Sequence, residues 1–430
     1  MRNIYRIFIT LFVTGSILLP QNFKYSKIMG IPDLSFVPQI FTGLDVLEQM
    51  DCRSLKDRTI GVVCNQTSVN HRGNHLLDIL DKHNINVRYV FLPEHGLTLP
   101  DDGKVILSGE EGREPVTGAK LIDTFGRYVK PPSWAMNEID LVLVDIQDTG
   151  VRYSTYITTV TKVMEAAGEW GIPVMVLDRP NPLGGLTMSG PIPRLEYQSF
   201  EAYHLVPIRH GLTIGEYAVM VNETGWIKDL VRADLTVIPL ANWSRAMWMD
   251  DENENWNHPA PDLNDVETIL TYTGSTLMKG TNISIGQGTH KRYKIAGAPW
   301  ISGTYLAEHL TQLELPGVRF TSIRFIPKIH ADLDVVPRYV GEECSGVEIR
   351  ITDKYKFEPI RTAAAIIFTI HHLYPREFQW EKYDYIDKLF GSSLLRTMVA
   401  QGRGADELSP LWGYDILRFS EFRNKFLLYP

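Results

Sequence analysis

Polar or charged side chains follow each of four apolar runs in the first half of this 430-residue chain. The runs and the residues that follow them are 60–64 with Asn65, 87–92 with Glu94 and His95, 141–144 with Asp145 and Asp148, and 174–177 with Asp178, Arg179 and Asn181. Short Val/Ile/Leu runs separated by helical patterns predict strands of a parallel sheet that is buried on both faces. Ligands of such sheets bind beyond the carboxyl ends of the strands. We therefore expect these side chains to converge on one crevice, whose carboxylates and amides suit sugar chemistry.

Glu94 is the candidate general acid of this set. It follows a strand end beside the apolar residues Phe91, Leu92 and Leu97, and apolar surroundings favour the protonated carboxyl that a general acid requires. A Glu94 that caps a helix or forms a salt bridge would explain its position equally well, and such residues are more common. For His95, a structural hydrogen bond is a better interpretation than a catalytic or metal-binding role. Glu94 and His95 together do not form the two-histidine motif of a metalloprotease.

The segment 145–156 combines two acids, an arginine and two tyrosines at a turn from strand to helix. Asp145 and Asp148 could act as a catalytic base or nucleophile, or could position sugar hydroxyls, and Tyr153 and Tyr156 could contact the sugar. Arg152 could bind a carboxylate through two parallel hydrogen bonds. The alternative is that Arg152 pairs with one of the acids and only braces the turn.

Three further loops contain candidate binding residues. Asp178, Arg179 and Asn181 lie in a turn-forming stretch, and the helix that begins near Thr213 could receive an anion at its N-terminus beside Arg209 and His210. The Gly-rich stretch 280–289 predicts a sugar-contacting or lid loop that includes Asn282, with an inert loop as the alternative. This stretch has neither phosphate-loop nor dinucleotide-fingerprint spacing, which argues against a nucleotide-binding protein.

The elements that position these residues divide the chain in two. Strand–helix alternation predicts a doubly wound, Rossmann-like α/β domain over 43–266, with helices over 74–83, 156–167 and 213–224 and a further strand over 235–240. The pattern over 267–430 predicts a smaller α+β domain. We expect an active-site cleft between this domain and the Rossmann-like one. In that second domain we expect a long loop over 273–298, strands over 318–326 and 347–351, and a helix over 362–373.

Composition and the N-terminus limit the possible functions. A hydrophobic fraction of 44% and a charged fraction of 22% are typical of a globular protein, and a net charge of -8 argues against nucleic acid as a partner. Arg2 and Arg6 precede an apolar run over 7–20, so residues 1–22 predict a secretory signal peptide, with an uncleaved membrane anchor as the alternative. Three cysteines indicate neither a disulfide framework nor a zinc site.

Five motifs in order resemble those of the NamZ-type exo-β-N-acetylmuramidases. They are Cys-Asn-Gln-Thr at 64–67, Phe-Leu-Pro-Glu-His-Gly at 91–96, Asp-Ile-Gln-Asp-Thr-Gly-Val-Arg at 145–152, Leu-Asp-Arg-Pro-Asn-Pro-Leu-Gly-Gly at 177–185 and Gly-Thr-Asn-Ile-Ser at 280–284. The resemblance implies a Rossmann-like domain followed by a smaller one, with Glu94 as the acid/base. It implies release of N-acetylmuramic acid from the non-reducing ends of peptidoglycan fragments, without a metal or an organic cofactor. The second catalytic participant could be Asp145 or Asp148, or the acetamido group of the sugar could take its place. The O-lactyl carboxylate of that sugar would give a cation such as Arg152 or Arg209 something to bind.

The chain departs from the family pattern at two places. It has Leu-Thr-Leu at 97–99 where the family usually has Phe/Leu-Arg-Gly, and Lys279, Ile285 and Gln287 replace two glutamates and an arginine of the family's Gly-rich loop. These changes leave open a shifted substrate and an alternative hypothesis, in which the chain binds muropeptide sugars but has weakened or lost catalysis.

Overall fold

The computed structural model describes residues 27–28, 39–98, 105–106, 112–249, 257–260, 262–329 and 336–430. The predicted signal peptide or anchor at 1–22 lies outside these residues. Within them, no helix combines the length and the apolar composition that crossing a membrane requires.

The first part of the chain forms a parallel sheet. Its strands are β1 (Lys27–Ile28), β2 (Thr59–Cys64), β3 (Asn86–Leu92), β6 (Lys120–Asp123), β7 (Leu141–Asp145), β8 (Val174–Leu177) and β9 (Leu235–Ile238), while β4 (Leu97–Thr98) and β5 (Val105–Ile106) form a separate antiparallel pair. The strand order is β1-β9-β8-β7-β2-β3-β6, and every neighbouring pair is parallel. The predicted doubly wound α/β architecture is therefore confirmed.

Helices cover both faces of this sheet. They are α1 (Gly43–Gln49), α2 (Leu76–Lys82), α3 (Ser133–Met136), α4 (Thr155–Trp170) and α5 (Ile214–Thr224). Alternate residues of β7 belong to different cores: Val142 and Val144 pack with α4 and α5, whereas Leu141 and Leu143 pack with α1 and α2. Burial on both faces explains why the strand sequences are continuously apolar rather than alternating.

The N-terminus of α5 matches its sequence signal. Thr213 is the N-cap residue, and its side chain accepts a hydrogen bond from the backbone N–H of Glu216, whose carboxylate accepts one in return from the Thr213 N–H. This capping box satisfies two backbone donors that the first helical turn would otherwise leave unpaired.

The second part of the chain is a smaller α+β unit, as predicted. Its antiparallel sheet has the order β10-β12-β11, built from β10 (Ile295–Ala298), β11 (Val318–Phe325) and β12 (Cys344–Ile351). Its helices are α6 (Val266–Ser275), α7 (Gly303–Thr311), α8 (Pro359–Leu373), α9 (Tyr385–Phe390), α10 (Leu394–Ala400) and α11 (Gly413–Arg423).

The prediction of a continuous loop over 273–298 is wrong at both ends. Helix α6 extends to Ser275, a 3-10 helix follows over Thr276–Gly280, and β10 takes up the last four residues. Glycines concealed β10: a Cβ on Gly297 would lie 2.6 Å from the carbonyl oxygen of Ser345 on β12, so this strand uses glycine for close backbone approach.

The end of the chain returns to the first domain. Phe419, Phe426 and Leu428 pack in the same core as α4 and α5, and the Tyr429 hydroxyl donates a hydrogen bond of 2.5 Å to Asp178. Residues of α11 and the segment after it therefore stabilise the parallel-sheet domain.

Candidate active site

Glu94 lies on a tight turn directly after β3. The backbone N–H of Gly96 donates to the carbonyl oxygen of Pro93 at 3.1 Å, and His95 and Gly96 both have φ of 68°. A glycine adopts this left-handed conformation without the steric cost that other residues have, which explains its place in the turn. The turn directs the chain away from the sheet and leaves Glu94 half-buried.

The N-terminus of α4 holds the Glu94 side chain. The hydroxyl of Thr155 donates a hydrogen bond to Glu94 Oε2. The next residue, Tyr156, is buried, and its hydroxyl lies 3.4 Å from the carbonyl oxygen of Glu94 and also donates to the carbonyl oxygen of Pro259. Two adjacent residues of one helix therefore fix both the backbone and the carboxyl of Glu94.

Tyr272, which interacts with the charge of Glu94, packs in a group of tyrosines from both domains. Tyr153 and Tyr272 make an edge-to-face contact at 6.2 Å, and Tyr272 makes another with Tyr293 at 4.9 Å. Burial raises the pKa of Tyr272 well above its ordinary value, and negative charge at Tyr293, Glu94 and Glu201 adds to this effect. Tyr272 thus remains a neutral hydroxyl close to two carboxylates. Aromatic rings beside carboxylates are a suitable lining for a sugar site.

Glu201 is a site residue that sequence reasoning missed. Its Oε1 accepts a hydrogen bond of 3.0 Å from the hydroxyl of Tyr385, the first residue of α9. Glu201 follows no strand, and Tyr272, Tyr293 and Tyr385 all belong to the second domain. The strand-end rule therefore gave no signal for any of these four residues, and it is the packing of the two domains that brings the three tyrosines to this part of the first domain.

Asp145 is buried in an ion pair. Arg179 donates to Oδ1 through Nε at 2.5 Å and to Oδ2 through Nη2 at 2.8 Å, and Asp145 has no exposed surface. Both oxygens are occupied, and both residues lie at the strand ends where they were predicted. This arrangement favours a structural role for Asp145 and Arg179 over direct contact with a substrate.

Asp148 and His210 form a second buried pair. His210 Nε2 lies 3.3 Å from Asp148 Oδ2, which also accepts a hydrogen bond from the backbone N–H of Gly150 at 2.7 Å. Oδ1 of Asp148 has no hydrogen-bond partner among the described residues. Gly150 has φ of 77°, and a Cβ there would lie 2.3 Å from Asn181 Oδ1, so the turn requires glycine.

Asp178 and Asn181 brace loops. Asp178 accepts hydrogen bonds from the Thr213 hydroxyl at 2.8 Å and the Gly215 backbone N–H at 2.7 Å, which anchors it to the start of α5. Burial raises the pKa of Asp178 to about 7, although the hydrogen bond from Tyr429 acts in the opposite direction. Asn181 donates to the carbonyl oxygen of Leu212 and accepts from a backbone N–H within its own loop.

Arg152 is buried and holds backbone carbonyls of both domains. Nη1 donates to Pro191 and Val206 at 2.6 and 3.0 Å, and Nη2 donates to Leu389 and Phe390 of α9 at 2.8 and 3.2 Å. The sequence left open a substrate clamp or a brace paired with an acid. The structure gives a brace, but one that contacts carbonyl oxygens instead of carboxylates.

Arg209 and Asn65 are also buried but have unused donors. The Arg209 guanidinium lies 4.8 Å from the centre of the Trp248 ring and donates to the carbonyl oxygen of Leu183, while its Nε has no partner among the described residues. Burial lowers the pKa of Arg209 to about 9. Asn65 Oδ1 accepts a hydrogen bond from the backbone N–H of Thr67. Its Nδ2 has no acceptor in the part of the chain that the structure describes.

The residues of the Gly-rich stretch 280–289 mainly hold the second domain together. Asn282 donates to the carbonyl oxygen of Glu377 at 2.8 Å and accepts from the Gln379 N–H at 3.0 Å, so it joins two loops of the second domain. Ile285 is packed in that domain's core, and its carbonyl oxygen accepts the backbone N–H of Tyr293. Lys279 is partly exposed, with Nζ 5.9 Å from the centre of the Tyr293 ring. Lys279, one of the departures from the family pattern, therefore lies beside Tyr293.

A metal site is not apparent in the part of the chain that the structure describes. No group of three or more His, Cys, Asp or Glu side chains there is arranged to hold an ion. The three cysteines are buried and unpaired with one another.

Two family models match nearly the whole chain. They are described as the N-terminal and C-terminal domains of exo-β-N-acetylmuramidase NamZ, and they match residues 60–267 and 270–429. Among characterised proteins, the chain is 37% identical over 395 residues to the peptidoglycan β-N-acetylmuramidase NamZ of Bacillus subtilis (strain 168), covering 91% of this chain and 92% of that protein.

Solved structures agree with this similarity. A DUF1343 family protein from Bacteroides fragilis NCTC 9343 superposes with a TM-score of 0.83 at 28% identity, covering 92% of this chain and 100% of that chain. A second DUF1343 family protein from the same organism gives a TM-score of 0.72 at 27% identity, with coverages of 91% and 99%. These matches confirm the resemblance found in the motifs, and the chain therefore belongs to the NamZ family of exo-β-N-acetylmuramidases.

Proposed function

We propose that this chain is an exo-acting glycoside hydrolase that releases N-acetylmuramic acid from the non-reducing ends of peptidoglycan fragments. The observation that carries the proposal is the position of Glu94, which lies at a strand end, is held by Thr155 and interacts through its charge with Tyr272 of the other domain. The activity named for the Bacillus relative supports the same reaction.

Glu94 acts as the general acid. The bond between C1 of the sugar and the glycosidic oxygen breaks, its electron pair goes to that oxygen, and Glu94 supplies the proton that the oxygen takes up. Such proton transfer contributes about 10²–10⁴-fold to the rate. The Thr155 hydroxyl fixes the orientation of the carboxyl, because a held group loses less entropy on reaching the transition state.

The alternative of a catalytically weakened sugar-binding protein receives less support. The substitution at Ile285 lies in the core of the second domain, whereas Glu94 keeps its contacts with Thr155 and Tyr156. The change at Ile285 therefore does not disturb the contacts that hold Glu94.

Export to the periplasm or the cell exterior completes the proposal. The basic residues Arg2 and Arg6 and the apolar run after them support a secretory signal peptide, and peptidoglycan fragments are most abundant outside the cytoplasmic membrane. Sequencing the N-terminus of the mature protein would test this part, and an intact residue 1 would favour the uncleaved anchor.

The test of the activity compares the wild type with Glu94→Gln on the disaccharide MurNAc-GlcNAc and on 4-nitrophenyl β-N-acetylmuraminide. The variant should lose about 10²–10⁴-fold in kcat on the disaccharide, whose leaving oxygen needs a proton. It should lose far less on the nitrophenyl glycoside, because nitrophenolate leaves without one. Glu421→Gln, an exposed residue of α11, is the control and should match the wild type. A wild type inactive on both substrates would overturn the proposal.

A further inference from the structure

Glu201 shares its support with Glu94. Thr155 and Thr158 lie one turn apart on the same side of α4, where Cβ atoms are about 5–6 Å apart. Thr155 holds the Glu94 carboxyl, and the Thr158 hydroxyl donates to the carbonyl oxygen of Phe200 at 2.9 Å. Phe200 immediately precedes Glu201. The helix therefore places the two glutamates in neighbouring positions along one wall.

The Glu201 carboxylate reaches away from α4 to the other domain. Its Oε1 accepts the hydrogen bond from Tyr385, and α9 is in turn tied to the first domain through Arg152, which donates to Leu389 and Phe390. Glu94 is thus fixed to α4 and Glu201 to α9. The two carboxyl groups are therefore held from different domains.

The carboxylates of Glu94 and Glu201 affect the pKa values of nearby tyrosines. Burial is the main cause of the raised pKa of Tyr272, and the charges of Glu94 and Glu201 both contribute to it. Glu201 also raises the pKa of Tyr153 and Tyr385, after burial in each case. Tyr272 is therefore the phenol on which both carboxylates act.

We propose that Glu201 is the second catalytic carboxylate and accepts the proton of the water that attacks the sugar. This inference rests on the proposed glycosidase function. Glycosidases that act in this way place one carboxyl on each side of the bond to be cleaved, far enough apart for a water molecule. Glu201 has one oxygen oriented by Tyr385, and its other oxygen has no hydrogen-bond partner among the described residues.

The reaction balances without any other reactant. The water oxygen forms a bond to C1 while one of its protons passes to Glu201. The bond from C1 to the glycosidic oxygen breaks, and that oxygen takes the proton of Glu94. After the reaction Glu201 is protonated and Glu94 is ionised, and exchange with solvent restores both. The sugar is released with inverted configuration, as the α anomer.

The aspartates at the strand ends fit this role less well. Both oxygens of Asp145 are paired with Arg179. Asp148 is buried beside His210, and one of its oxygens accepts the Gly150 N–H. Glu201 is more exposed than either of them.

The test measures kcat of Glu201→Gln on the same two substrates, with Glu196→Gln, an exposed residue of the same segment, as the matched control. A lost base slows attack whatever the leaving group is. Glu201→Gln should therefore lose at least 10²-fold on the disaccharide and on the nitrophenyl glycoside alike, unlike Glu94→Gln. Its melting temperature and its binding of N-acetylmuramic acid should stay near those of the wild type.

Tyr385→Phe provides a second test that preserves the carboxylate. Loss of the orienting hydroxyl should lower kcat about tenfold on both substrates. Proton NMR of the wild-type reaction should show the α anomer first. A Glu201→Gln kcat within threefold of the wild type, a deficit confined to the disaccharide, or an unchanged kcat in Tyr385→Phe would overturn the inference. Initial release of the β anomer would do so as well. If instead the wild type fails on both substrates, it is the proposed function itself that fails.

Discussion

Tyr385 donates a hydrogen bond of 3.0 Å to Glu201, although 184 residues separate them in the chain. This contact joins the first helix turn of α9 to a loop of the parallel-sheet domain. Tyr272 lies near this contact, since the charges of both Glu94 and Glu201 act on it. The relative position of the two domains therefore shapes the candidate active site.

Arg152 should be required for stability. Replacing it with Met should lower the free energy of unfolding by about 3 kcal/mol or more, because four buried carbonyl oxygens lose their donor and each such loss costs about 1–3 kcal/mol. Urea unfolding followed by tryptophan fluorescence measures the change. Arg403→Met, which removes a partly exposed pair with Glu407, should cost less than about 1 kcal/mol. An Arg152→Met protein of unchanged stability with a raised KM for muramic glycosides would instead support the substrate clamp.

Lys279 should contribute to recognition of the lactyl carboxylate. Its ammonium lies beside Tyr293 and forms no ion pair within the described part of the chain. Lys279→Met should raise KM for the β-N-acetylmuraminide about fivefold, or ~1 kcal/mol, as expected for a partly exposed ion pair. KM for the corresponding β-N-acetylglucosaminide, which has no lactyl group, should not change. An equal effect on both glycosides would argue against carboxylate recognition.

His204 should make the fold sensitive to acid. Burial, with a smaller contribution from the charge of Lys162, lowers its pKa from 6.5 to about 3. At a pH between about 3 and 6.5, the unfolded chain therefore binds a proton at His204 and the folded protein does not. The stabilising contribution is therefore complete above about pH 6.5 and is lost as the pH falls towards 3, with a slope of up to about 1.4 kcal/mol per pH unit.

Denaturant unfolding of His204→Gln between pH 4 and pH 8 checks this expectation. The variant should lose the slope that His204 causes, so its stability should approach that of the wild type as the pH falls. His372→Gln, at an exposed position, should follow the wild-type profile. Parallel profiles for the wild type and His204→Gln would contradict the prediction.

The local sequence was sufficient to predict much of the first domain. Continuous apolar runs at 60–64, 141–144 and 174–177 could only be buried on both faces, and this requires helices on each side of a parallel sheet. The same reasoning predicted where Glu94 lies, since the turn after a parallel strand opens at the ligand-binding edge. The capping box of α5 was also readable, because it depends on residues three apart.

Other features depended on contacts between distant parts of the chain. Asp145 and Asp178 lie at the predicted edge of the sheet, but their hydrogen-bond partners favour structural roles. Asp145 is paired with Arg179, and Asp178 accepts hydrogen bonds from Thr213 and Tyr429. The strand β10 is hidden by glycines that permit close backbone approach. Pattern reasoning considers near neighbours and periodicity, and it contains no information about which buried charge meets which partner.

By itself, then, the sequence determined the parallel sheet, its helices and the position of Glu94, because these follow from hydrophobic periodicity and local turn chemistry. Only the tertiary structure decided that Arg152 is a brace and that Glu201 meets Tyr385. The physical reason is that hydrogen bonding and burial depend on distance in space. Residues that are 184 or 237 positions apart become neighbours only when the two domains pack together.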